Sequence, residues 1–174
     1  SDDPRAKHTT SISVLGSVIM ENDAICIKRI DENLIDDCVS VYLEAFSQEP
    51  WNEKYEPERV ENYFRDFMSG NICFGLALCE DNNVIGVLLG MIIPSADSDY
   101  ARIEDFCIHP KMQSMGYGSK FLDLLKSYFS DSSVDCILLN TIRGFPSHKF
   151  YTKNGFTEIG TSVLLACNLC LLPT

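Results

Sequence analysis

The chain is short of positive charge: 14 Lys and Arg stand against 25 Asp and Glu in 174 residues, a formal net charge of −11. Such an excess repels the phosphate backbone of nucleic acids and the anionic surface of membranes, so neither is an expected partner, whereas a cationic small molecule is attracted. Histidine is scarce as well. His8, His109 and His148 are the only three, and none has a His or Cys neighbour at ligand spacing. Cys167 and Cys170 form a CxxC pair, but no second pair accompanies it, and no metal is expected. Long apolar runs are missing too. No stretch approaches the roughly 18 residues of a membrane span, and the first residues lack the charged region and apolar core of a secretory leader.

What is present describes a globular enzyme-sized chain. Six of the eight cysteines, Cys26, Cys73, Cys79, Cys107, Cys136 and Cys167, lie inside apolar, strand-like runs. A thiol there behaves as a small hydrophobe, and a reducing cytoplasm is the expected location. Residues 1–22 read as a polar tail or a weak first strand around Val14–Met20, and residues 23–174 as a single domain.

Periodicity then gives the order of elements. Ala24–Ile30 alternates as a strand. Asn33 offers a helix cap, and Ile35, Cys38, Val39, Tyr42 and Phe46 recur at helical spacing. A break follows at Ser47–Glu56, and Pro57 opens a second helix with its stripe at Val60, Tyr63, Phe64, Phe67 and Met68. Ile72–Cys79 and Val84–Ile93 form an antiparallel hairpin around a four-residue turn, Glu80–Asn83. A strand at Ile103–Ile108, a helix reaching Phe129, a short buried strand at Cys136–Asn140 and a short helix at Ser147–Lys153 complete the middle of the chain. Two further strands are expected at Phe156–Gly160 and Val163–Leu169.

The segment with most chemical content is Gln113, Ser114, Met115, Gly116, Tyr117, Gly118 and Ser119, placed between a strand and an amphipathic helix. Glycines at a helix start let backbone N–H groups turn toward an oxyanion, as a phosphate cradle requires, although the same residues also suit an ordinary strand-to-helix turn.

Three pieces in order, Phe106 to Pro110, Gln113 to Gly118, and Phe150-Tyr151-Thr152-Lys153-Asn154-Gly155-Phe156, resemble the GNAT acetyltransferases. The resemblance runs from about Ala24 to Leu169. It implies a mixed α/β fold: a central, mostly antiparallel, twisted sheet of about six to seven strands with a splayed parallel pair, flanked by about four helices. It also implies acetyl-CoA as cosubstrate and transfer of acetyl to an amine. Main-chain groups of Phe106, Cys107 and Ile108 would pair with the pantetheine arm, and Gln113–Ser119 would hold the pyrophosphate. The N–H of Phe106 is the candidate for oxyanion stabilisation and Tyr151 for protonating the leaving sulfur, with a packing role as the alternative for Tyr151.

Glu104 resembles the proposed base of diamine acetyltransferases. Adjacent Asp105 puts one carboxylate on each sheet face unless a bulge intervenes, and either can serve as base or merely orient substrate. Many relatives carry an Asn seven residues before the tyrosine; Gly144 stands there, and Asn140 is the substitute candidate for contacting the pantetheine arm.

The acceptor is expected to be a small amine. Between the first two helices, Glu49-Pro50-Trp51-Asn52-Glu53-Lys54-Tyr55-Glu56 resembles the aminoglycoside N-acetyltransferase branch. Trp51 and Tyr55 offer flat walls and Glu53 a negative charge for a cation. A protein or peptide acceptor, or a non-catalytic acetyl-CoA-binding module, is the alternative reading. The sequence also leaves a homodimer open.

Overall fold

The computed structural model of the protein describes residues 24–160 and 163–165. These fall into two compact units, one ending at Asn140 and the other beginning at Thr141. In the first unit, strand β1 (Ile25–Arg29) leads to helix α1 (Ile35–Phe46). The cap expected from Asn33 is not made. Asp31 organises the entry instead: its carboxylate accepts from the Asn33 N–H at 3.0 Å, and its carbonyl accepts from Leu34 and Ile35. Its short acceptor side chain closes an Asx turn two residues earlier, and Leu34 rather than Asn33 takes the cap position, with no side-chain cap. Helix α2 (Pro57–Met68) begins at proline, where a missing N–H costs no helical hydrogen bond.

Strands β2 (Cys73–Glu80) and β3 (Asn83–Ile93) form the expected hairpin, but its turn is tighter. Only Asp81 and Asn82 link the strands, at φ +48° and +67°. Asp and Asn tolerate left-handed backbone, and positive φ at both central residues matches the strand twist better than a longer loop would. Strand β4 (Asp99–Ile108) follows and starts before the expected Ile103. A short 3-10 turn at Pro110–Met112, helix α3 (Tyr117–Phe129) and strand β5 (Val134–Leu139) complete the unit.

The five strands lie in chain order β1-β2-β3-β4-β5, antiparallel except for the parallel β4–β5 pair. Helices cover both faces. Ala77, Cys79, Val87, Leu89 and Cys107 join the buried cluster built by Cys38, Val39 and Tyr42 of α1 with Val60 and Phe64 of α2. The alternate residues point to α3: Phe74 meets Phe129 and Phe106 meets Phe121, each pair with ring centroids 5.4 Å apart. This double covering explains why β2 and β3 read as unbroken apolar runs rather than as alternation.

The second unit holds helix α4 (Pro146–Lys153). The strand expected at Phe156–Gly160 does not form, because local contacts already occupy these residues. The Phe156 N–H donates to the Tyr151 carbonyl at 3.1 Å, and Glu158 accepts from the Arg143 guanidinium at 2.5 Å and meets His148 at 2.8 Å. Val163–Leu165 likewise carries no ladder. The remainder of that expected strand, and the weak strand at Val14–Met20, lie outside the described residues. Five strands therefore stand among the described residues, against the six to seven expected. No helix among the described residues is long and apolar enough to cross a membrane.

Candidate active site

Strand β4 has two irregularities, and the candidate site is built around them. Pairing with β5 ends at Ile103↔Leu139, while β4 continues to Ile108. On its other edge the register with β3 shifts: Leu89 faces Asp105 and Gly90 faces Ile103, which leaves Glu104 as the extra residue of a bulge. Parity alone sends adjacent carboxylates to opposite faces, and the bulge relaxes that rule.

Asp105 is the more enclosed of the two. Its Oδ1 accepts from the Tyr42 hydroxyl of α1 at 3.2 Å, and its Oδ2 accepts from the Tyr63 hydroxyl of α2 at 2.5 Å. Burial pushes its pKa above the usual carboxylate range, the two phenols pull it back, and the Glu104 charge adds to the rise. Burial together with Asp105 also pushes both phenols well above the ordinary tyrosine value, and Glu104 contributes to the rise at Tyr63. Glu104 is exposed and pairs with Arg102 two residues back on the same strand.

Tyr42 and Tyr63 also line a small pocket of about 130 Å³ together with Tyr55, Arg59 and Val60; Glu104 and Asp105 are not among its lining residues. Tyr55 comes from the segment joining the helices, its ring 6.1 Å from that of Tyr42. Its phenol pKa is raised by partial burial, then by the charges of Glu53 and Asp105. Trp51 is exposed and packs on Phe46 at 6.0 Å, which in turn packs on Tyr42 at 4.4 Å. The Glu53 N–H donates to the Phe46 carbonyl at 2.9 Å, which ties the connecting segment to the end of α1.

At the far end of β4 lies the glycine segment. Ser114 and Gly116 have φ of +62° and +91°, and Gly116 caps α3 without a side-chain hydrogen bond. A Cβ on Gly116 would meet nothing within 4 Å. The N–H groups of the first helical turn have no intrahelical acceptor by geometry and carry the positive end of the dipole. Gln113 turns back, its Nε2 donating to the Ile108 carbonyl at 2.9 Å. Met115 is exposed, Gly118 and Ser119 lie in the first turn of α3, and the Tyr117 hydroxyl donates to Glu80 at 2.5 Å. His109 accepts from the Lys111 N–H and meets Glu44 of α1 at 3.0 Å. Side chains of Cys107 and Ile108 are buried, and Asn140 is exposed just past β5. Tyr151 sits within α4, its ring 5.2 Å from Phe150 and 5.5 Å from Phe156.

The family model described as "Acetyltransferase (GNAT) family" matches residues 35–156. The chain belongs to the GNAT acetyltransferase family. Solved structures agree on the fold. A GNAT family acetyltransferase from Staphylococcus aureus is 16% identical, with 83% of this chain and 98% of that one covered and a TM-score of 0.66. An aminoglycoside acetyltransferase from an uncultured soil metagenomic sample, solved with sisomicin, is 14% identical over 83% and 96% of the two chains, TM-score 0.65. AAC(6')-Iy, solved with the bisubstrate analog CoA-S-monomethyl-acetylneamine, is 11% identical over 83% and 98%, TM-score 0.65. No curated protein matches the sequence significantly.

GNAT acetyltransferases use acetyl-CoA, and the open space at Gly116 together with the early end of the β4–β5 ladder fits such a group. Among residues singled out from the sequence, the structure places Tyr55 in the pocket wall and Glu104 at the bulge, while Trp51, Glu53 and Glu104 are not lining residues of the pocket. Sequence reasoning missed the polar role of Tyr42 and Tyr63, which it assigned to apolar helix stripes. A phenol in such a stripe brings a hydroxyl that needs a partner, and that was the available signal.

Proposed function

We propose that this GNAT acetyltransferase transfers acetyl from acetyl-CoA to a primary amine of a small, cationic acceptor held at the tyrosine pocket. The observation that carries the reading is the pocket itself: three tyrosine rings, two of them bonded to Asp105 and the third under the influence of Glu53, in a chain of net charge −11. Aromatic faces attract an ammonium group, and the carboxylates of Asp105, behind Tyr42 and Tyr63, and of Glu53, acting on Tyr55, add to that attraction against Arg59 of the lining.

Gln113–Ser119 would hold the pyrophosphate through main-chain N–H groups, and the β4 segment Phe106–Ile108 would receive the pantetheine arm as an added strand, with Asn140 as a further contact. Acetyl-CoA, when bound, supplies an acetyl group activated as a thioester. Glu104 accepts the ammonium proton, directly or through water, so that the nitrogen lone pair is available. As the N–C bond forms, the N–H of Phe106 donates to the carbonyl oxygen where negative charge develops. The C–S bond would then break, Tyr151, assigned from its motif alone, would give its proton to the departing thiolate, and the second proton shed by the acylated nitrogen would restore the phenol through water, so that a neutral amide and a free thiol leave. Trp51, Glu53 and Tyr55 orient the acceptor.

Free-thiol release measured over neamine, sisomicin, spermidine, amino acids and short peptides tests this. Turnover on the polycations with Tyr151→Phe lowering kcat more than acetyl-CoA affinity is the expected result. Coenzyme binding without thiol release on any acceptor would refute it in favour of a non-catalytic module, and release on peptides alone would move the acceptor class.

A further inference from the structure

We propose that Asp105 is a positioning residue that shapes the acceptor pocket by tethering Tyr42 and Tyr63, leaving its neighbour Glu104 as the carboxylate that meets the amine. This rests on the acceptor pocket proposed above and goes further by dividing the labour between two adjacent acids.

Each oxygen of Asp105 is engaged by a different helix, Oδ1 by Tyr42 of α1 and Oδ2 by Tyr63 of α2. Both rings form pocket walls, so one carboxylate on the sheet fixes the distance and angle between two helices across the cavity. Glu104 is exposed and its partner, Arg102, lies on its own strand, so it bridges no second element in this way. The bulge makes the division possible. A regular strand would turn one of the two acids to the α3 face, whereas the extra residue keeps both within influence of Tyr63. Burial raises the Asp105 pKa, as suits a carboxylate held by neutral donors within a wall, not one presented to solvent.

The test needs no turnover. Spermidine is the probe cation, and its binding is read from the fluorescence of Trp51, the only tryptophan, which packs through Phe46 onto Tyr42. Asp105→Asn keeps the shape but removes the charge, and the phenol facing the new N–H can only accept from it, so a charge-assisted tether is replaced by a weaker neutral bond. Spermidine affinity is expected to fall about tenfold, with coenzyme A affinity by calorimetry unchanged within about twofold. Tyr63→Phe is expected to weaken spermidine binding severalfold alone, and its combination with Asp105→Asn to cost less than the sum of the two, because the variants act on one shared network. Additive effects, or a parallel loss of coenzyme A affinity, would overturn the proposal, the latter by marking a general structural role. Tyr55→Ala separates this from the pocket reading, since Tyr55 lines the pocket without bonding Asp105. If Tyr55→Ala weakens spermidine binding and Asp105→Asn does not, only the tether fails. If neither does, or the unaltered protein gives no saturable signal, the acceptor pocket itself is refuted and the tether with it.

Discussion

Gly116 allows a matched comparison that separates backbone strain from ligand contact. Its φ is +91°, and Gly155 in the second unit has φ +90°; a Cβ at either would meet nothing within 4 Å. Replacing either with Ala therefore adds no clash and imposes only the left-handed penalty of about 1–2 kcal/mol. At this chain length that lowers Tm by about 2–8 °C in each variant. Their effects on the coenzyme differ. Gly116→Ala places a methyl group where the pyrophosphate would approach and favours a rotation of the peptide that turns N–H groups away. Losing one hydrogen bond to a charged group costs about 1.5–3 kcal/mol, so the coenzyme A dissociation constant should rise about tenfold or more. Gly155→Ala should leave it close to the parent value. Thermal unfolding and calorimetric titration of both variants provide the four numbers needed. Equal coenzyme affinities in the two variants would refute the cradle, and an unchanged Tm in both would refute the strain argument.

Three other outcomes are expected. Gly90→Ala brings a Cβ to 2.6 Å from Phe74 Cζ and 2.9 Å from the Arg102 carbonyl oxygen, where the backbone of β4 cannot yield; overpacking should cost about 1–3 kcal/mol, read from the urea midpoint. In the native protein iodoacetamide should label exposed Cys136 but not Cys38, whose pKa burial pushes up to about 12, with peptide mapping as the check and early Cys38 labelling as the contrary result. Glu104→Gln should abolish the acid limb of the kcat/KM profile, because protonating the base no longer matters; an intact limb would assign that proton transfer elsewhere.

Much of the fold was legible because its elements are locally consistent. The stripe from Ile35 to Phe46 and the proline at the head of α2 each announce a helix, and α1 ends at Phe46 and α2 begins at Pro57 as expected. The unbroken apolar runs of β2 and β3 announce strands covered on both faces. Illegible parts turn on choices between near-equivalent local solutions. Asp31 and Asn33 can both start a helix, and only the chain path decides for Asp31. Phe156–Gly160 has a strand-like pattern, but its polar side chains find Arg143 and His148, and its backbone finds α4.

The site is governed by the same distinction. Residue type and spacing nominate Gln113–Ser119, Tyr55 and Glu104 as candidates, because the chemistry each could do is visible one residue at a time. The Tyr42–Asp105–Tyr63 arrangement is not of that kind. Helical period correctly puts Tyr42 in the core, where it is buried, yet period carries no information about where a hydroxyl points. The answer depends on the one-residue register shift between Leu89 and Gly90, a long-range property of β3 pairing with β4. Gly90 is the part of that shift written in the sequence. A side chain at this position would collide with Phe74 and with the Arg102 carbonyl, so the glycine permits the close approach of β3 to β4 at the bulge. A glycine in β3 thus bears on which carboxylate of β4 is enclosed by phenols and which remains exposed.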